Sequence, residues 1–69
     1  MRAMKLIING KILTYPASLS LQSYLEQQNI DLEAIVVEIN EKIIKRIDWP
    51  RVNLNEFDVV ELISFVGGG

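Results

Sequence analysis

The chain has 69 residues with no cysteine and no histidine, which excludes disulfides, thiolate nucleophiles and the commonest metal ligands together. Seven Lys and Arg against nine Asp and Glu give a net charge of −2, and no positive run exceeds Lys45-Arg46, so the electrostatic footprint of nucleic-acid binding is missing. A domain this small buries only about 60% of its unfolded surface, a weakness that 49% hydrophobic residues offset. No apolar stretch approaches the ~20 residues of a membrane span, and the N-terminus lacks the pattern of a signal peptide. The expected location is the cytoplasm, with Met4 an alternative start to Met1.

Met4, Leu6 and Ile8 alternate with Lys5 and Ile7 and run into Asn9-Gly10, a pair that tolerates positive φ and signals a two-residue hairpin. Lys11 to Tyr15 supplies the returning strand, and Pro16 is expected to stop it because proline cannot continue a ladder. A helix of about ten residues follows. Ser20, with Ser18 as a competitor, is placed to cap it, and Leu21, Tyr24 and Leu25 form one apolar stripe at i, i+3 and i+4. Asn29 suits a left-handed stop, with Ile30 packing back on the last turn.

From Ala34 the period changes to two. Ile35, Val37 and Ile39 share one face, and Ala34, Val36 and Glu38 the other. Asn40-Glu41 reads as a turn and Lys42 to Lys45 as a short strand. Arg46 to Asn55 is irregular, with Trp49 expected to cover the edge of the core. Glu56-Phe57-Asp58 forms a turn before a last strand from Val59 to Val66, where Val60 and Leu62 oppose Glu61, Ile63 and Phe65.

Hairpin, helix, two short strands and a terminal strand fit an α+β class in which four to five strands form a mixed sheet on one main helix. The last strand then lies parallel to the first, with the helix in the crossover. This is the β-grasp, or ubiquitin-like, arrangement. Its expected core is Leu6, Ile8, Leu21, Leu25, Ile35, Val37, Ile39, Val60 and Leu62. Ile7, Val36, Ile63 and Phe65 would then meet on the face away from the helix, an apolar surface suited to docking a partner.

Residues 1–66 are read as the folded domain and Gly67, Gly68 and Gly69 as a tail. Three glycines stabilise nothing in a free chain, since glycine loses the most entropy on ordering. They make a thin segment that can extend about 10 Å and carries an α-carboxylate ionised at neutral pH. Such an end can thread into a partner's active site, with Phe65 and Val66 leading into it.

The succession Lys5-Leu6-Ile7-Ile8-Asn9-Gly10-Lys11, Val37-Glu38-Ile39-Asn40, Arg46 with Trp49, and Asp58-Val59-Val60-Glu61-Leu62-Ile63 followed by Phe65-Val66-Gly67-Gly68-Gly69 resembles the ThiS family of thiamine-biosynthesis sulfur carriers. The likeness spans nearly the whole chain. It departs at Phe57, where a glycine is usual before the last strand, and at Lys45, where proline is frequent before Arg46. The resemblance implies a carrier and not an enzyme. Gly69 would be adenylated by an E1-like enzyme of ThiF type and converted to a thiocarboxylate with sulfur from a donor protein. It would then give that sulfur to a thiazole synthase of ThiG type. No cofactor would be bound by this chain, ATP and metal belonging to the activating partner, and the chain alone would be a monomer.

Alternatives remain at this point. The small subunit of molybdopterin synthase shares the chemistry and the paired terminal glycines, and a non-reactive β-grasp interaction module would make the tail dispensable. An enzymatic site built from Asp48, Glu56, Asp58 and Glu61 lacks a cationic, histidine or glycine-loop partner, and solvated turn charges explain these residues better.

Overall fold

A computed structural model describes residues 2–65. Strands β1 (Ala3–Ile8), β2 (Lys11–Pro16), β3 (Ile35–Ile39), β4 (Lys42–Ile44) and β5 (Val59–Ser64) form one mixed sheet in the order β2-β1-β5-β3-β4. β1 and β5 are parallel neighbours, Ile7 opposite Val59 and Ile8 opposite Val60, while the other pairs are antiparallel. Helix α1 (Leu21–Glu26) lies in the long crossover between the two hairpins. This is the β-grasp arrangement.

Both hairpins turn where the sequence puts small or amide-bearing residues. Asn9 and Gly10 have φ of 50° and 83°, and Asn40 and Glu41 have 53° and 71°, so each turn holds two consecutive left-handed residues, as the twist of a two-residue hairpin requires. The strands then bury alternate residues. β1 and β3 follow this period strictly, with Met4, Leu6 and Ile8 and with Ile35, Val37 and Ile39 facing the core. Leu21, Tyr24 and Leu25 of α1 close the core from above, joined by Trp49, Leu54 and Val60. Leu6, Leu21, Leu25, Val37 and Val60 are fully enclosed, each contributing about 1.5–3 kcal/mol by burial.

Several expectations are corrected. Leu62 is only half-buried and packs against the core instead of lying within it. Pro16 is the last residue of β2, opposite Ala3, which is permitted because β2 is an edge strand with no neighbour needing the missing N–H. α1 is six residues long, not ten. Ser20 does cap it, its Oγ accepting from the Ser23 N–H at 3.0 Å. The far end tightens early, with Gln27 N–H on Tyr24 O and Gln28 N–H on Leu25 O, both three residues back. Asn29 is absent from the left-handed residues, and Ile30 is 41% exposed. Beyond Leu25 the sequence offers no apolar residue at the next turn to extend the buried stripe, so nothing holds a longer helix.

The segment after β4 is more ordered than its sequence suggests. Arg46–Arg51 forms a 3₁₀ helix that buries Trp49, whose indole N–H donates to Ile44 O at 3.1 Å. The Arg46 guanidinium lies 5.9 Å from the indole centroid and also reaches Glu33 at 3.6 Å. Tyr24, packed edge-on against Tyr15 at 5.4 Å between centroids, has its phenol pushed up to about 12 by burial, with Tyr15 adding to the effect. It stays neutral in the core at physiological pH.

Phe57, where the family resemblance leads one to expect glycine, has φ of 67°. Its N–H donates to Lys5 O at 2.6 Å, so the turn is locked in a conformation that costs a residue with a Cβ roughly 1–2 kcal/mol. The ring returns little, being 63% exposed. Phe57→Gly removes that strain but frees the unfolded chain, and the expected net effect is a stabilisation of about 0.5–1 kcal/mol. A rise in the urea midpoint at constant m-value checks it.

Candidate functional site

The face of the sheet turned away from α1 is built by the residues that alternate with the core. Val36 on β3 and Ile63 on β5 are direct register partners; Val36 is half-buried and Ile63 is 46% exposed. Phe65 follows β5, half-exposed, with its N–H on Ala34 O at 3.1 Å, which carries the strand alternation one step past Ser64. These three residues gather at the end of the sheet from which the chain continues to Val66. Ile7 shares the face but not that end. Its register partner is Val59, at the start of β5, and Glu61 stands between Val59 and Ile63 along the strand.

Two asparagine side chains fix β5 beneath this surface. Asn9 Oδ1 accepts from the Leu62 N–H at 2.8 Å, and Asn40 Oδ1 accepts from the Val59 N–H at 3.0 Å while its Nδ2 donates to Asp58 Oδ1 at 3.0 Å. The turn residue of each hairpin is thus also a clamp on the strand that leads to the tail. Sequence reasoning assigned both asparagines to turns alone, since their partners lie 53 and 19 residues away.

Val66, Gly67, Gly68 and Gly69 lie outside the described residues. The four carboxylates weighed as an enzymatic site do not converge on a shared centre. Asp48 pairs with Arg51 at 3.8 Å and Glu56 accepts from the Lys5 N–H at 3.3 Å. Asp58 accepts from Asn40 and, at 2.8 Å, from the Asn55 N–H, while Glu61 faces Glu38 across β3. Three of them serve local turns and backbone. Among the described residues no group of three or more His, Cys, Asp or Glu could hold a metal, and no helix is long and apolar enough to cross a membrane.

Comparison with known proteins agrees with this architecture. The ThiS family model matches residues 5–69. The sulfur carrier protein ThiS of Bacillus subtilis is 32% identical over 63 residues, covering 90% of this chain and 96% of that protein. A thiazole synthase of Paramagnetospirillum magneticum is 33% identical over 66 residues; the match takes in 96% of this chain, but this chain spans only 20% of that protein's length. The crystal structure of a thiamine biosynthesis protein (ThiS) from Geobacter metallireducens superposes with a TM-score of 0.84 at 30% identity, covering 96% of this chain and all of that one. Fold, length and sequence agree in separating this chain from the molybdopterin-synthase alternative: it belongs to the ThiS family, a β-grasp sulfur carrier of thiamine biosynthesis and not itself an enzyme.

Proposed function

We propose that the α-carboxylate of Gly69 is the atom group on which this carrier holds sulfur, and that the outer sheet face presents it to partner enzymes. A carboxylate is a poor electrophile. In an E1-like adenylyltransferase of ThiF type its oxygen attacks the α-phosphate of ATP, pyrophosphate leaves, and an acyl-adenylate forms. The terminal sulfur of a cysteine persulfide then attacks the acyl carbon and expels AMP. Cleavage of the remaining S–S bond by a second thiol leaves the thiocarboxylate, which donates its sulfur to a thiazole synthase of ThiG type. ATP and metal are held by the activating partner.

Gly67 and Gly68 serve this chemistry by having no side chains to obstruct a narrow channel. Ordering them costs roughly 1–2 kcal/mol per residue, and apolar contact made by Ile7, Val36, Ile63, Phe65 and Val66 offsets that cost. The observation that carries the reading is the ThiS match, which runs through Gly69. The thiazole synthase that contains a segment similar to nearly all of this chain supports the second partnership.

Intact-protein mass spectrometry after incubation with ATP, the cell's activating enzyme and a sulfur donor tests the assignment. The expected result is a gain equal to oxygen replaced by sulfur, mapped to Gly69 and lost when Gly69 is deleted. An unchanged mass, with the enzyme active on another carrier, overturns it and leaves the non-reactive interaction module in its place.

A further inference from the structure

The outer face is apolar except for one row. Glu38 on β3 and Glu61 on β5 are direct register partners in an antiparallel pair, so two carboxylates stand side by side on the same face. Ile43 is opposite Glu38 on the β4 side, and Val36 with Ile63 forms the next row toward the tail. Like charges directly opposite each other destabilise a sheet. The two ion pairs among the described residues, Arg46 with Glu33 and Arg51 with Asp48, involve neither carboxylate. Lys45, just past the end of β4, is the nearest cation along the ladder and forms no such pair.

Resting on the docking reading above, we infer that the Glu38–Glu61 pair receives an arginine side chain of the activating enzyme, seated between the two carboxylates and ringed by Ile43, Val36 and Ile63. Charge complementarity selects this occupant. One guanidinium presents donors to both carboxylates, is planar enough to lie between them, and is weakly hydrated enough to enter an apolar surround, where a lysine ammonium is less suited. Of the two partners, the activating enzyme must surround the triphosphate of ATP with positive charge. Its field therefore attracts an acidic carrier face before contact. The repulsion that weakens the free carrier is relieved when the cation arrives, so the pair contributes to recognition at the expense of stability.

The test is the double substitution Glu38→Gln and Glu61→Gln, measured by association kinetics with the purified activating enzyme and ATP across a series of salt concentrations, alongside thermal unfolding of the free carrier. The expected result is an association rate lower by about tenfold at low ionic strength, with the difference shrinking as salt rises, together with a higher midpoint for the free carrier. An unchanged rate and salt dependence in a folded variant overturns the inference. So does a loss seen with thiazole synthase and not with the activating enzyme. The apolar docking reading is tested separately by Ile63→Asp: loss of binding there with no effect of the paired Gln substitutions removes the arginine and leaves the docking face standing.

Discussion

Replacing Trp49 with alanine is expected to cost about 3–5 kcal/mol, the range for truncating a buried large aromatic. For a chain of 69 residues the whole stability is roughly 3–10 kcal/mol at ~0.05–0.15 kcal/mol per residue, so the variant loses a large fraction of it. The indole is 3% exposed and is the main apolar side chain that Arg46–Arg51 sends into the core. Removing it opens a cavity at the lower edge of α1 and deprives the 3₁₀ segment of its anchor. Trp49→Phe separates the contributions, since it keeps most of the packing and loses the hydrogen bond to Ile44 O, worth about 1 kcal/mol. Urea unfolding followed by far-UV circular dichroism measures both, because Trp49 is the chain's sole tryptophan and fluorescence disappears with it. A Trp49→Ala midpoint within experimental error of the parent would mean that the indole is a cover on the core and not part of it.

What was legible in the sequence was what local chemistry decides. Asn9-Gly10 announces its turn because few residues accept two consecutive left-handed conformations, and Ile35 to Ile39 declares a strand because its period is two. Ser20 caps α1 through an atom three residues away. The helix length was not legible, because capping and stripe identify a start while the stop depends on which residues find a core to pack against. Register was partly legible. Alternation puts Ile7, Val36, Ile63 and Phe65 on one face, but only the pairing of β1 with β5 at Val59 and of β3 with β5 at Ile63 separates Ile7 from the other three. The juxtaposition of Glu38 with Glu61, the clamps from Asn9 and Asn40, and the burial of Leu54 all depend on contacts between distant segments, which no window of sequence contains. Phe57 was flagged only as a departure from a glycine, and its φ of 67° supplies the physical reason why glycine suits that position.

Ile63→Asp is expected to reduce the affinity for the activating enzyme by roughly 30- to 150-fold, the equivalent of 2–3 kcal/mol for a residue at the centre of an interface. The argument runs from register to energy. Ile63 lies opposite Val36 and two residues before Phe65, so a partner that takes the tail into its active site must pass over this position. A carboxylate placed there must be desolvated against apolar surface without a counter-charge of its own. Because the side chain is 46% exposed, folding pays less: about 1 kcal/mol or less, within the context-dependent range of strand substitutions. The kinetic pattern is the discriminating readout. A lost docking contact raises KM for the carrier in thiocarboxylate formation while kcat at saturating carrier is retained, as removal of uniform binding does. Ile47→Asp supplies the comparison, since Ile47 is 72% exposed on the 3₁₀ segment and adds the same charge away from the sheet face. Equal effects of the two substitutions would assign the loss to net charge, whereas a loss confined to Ile63→Asp ties tail processing to the outer face of β3 and β5.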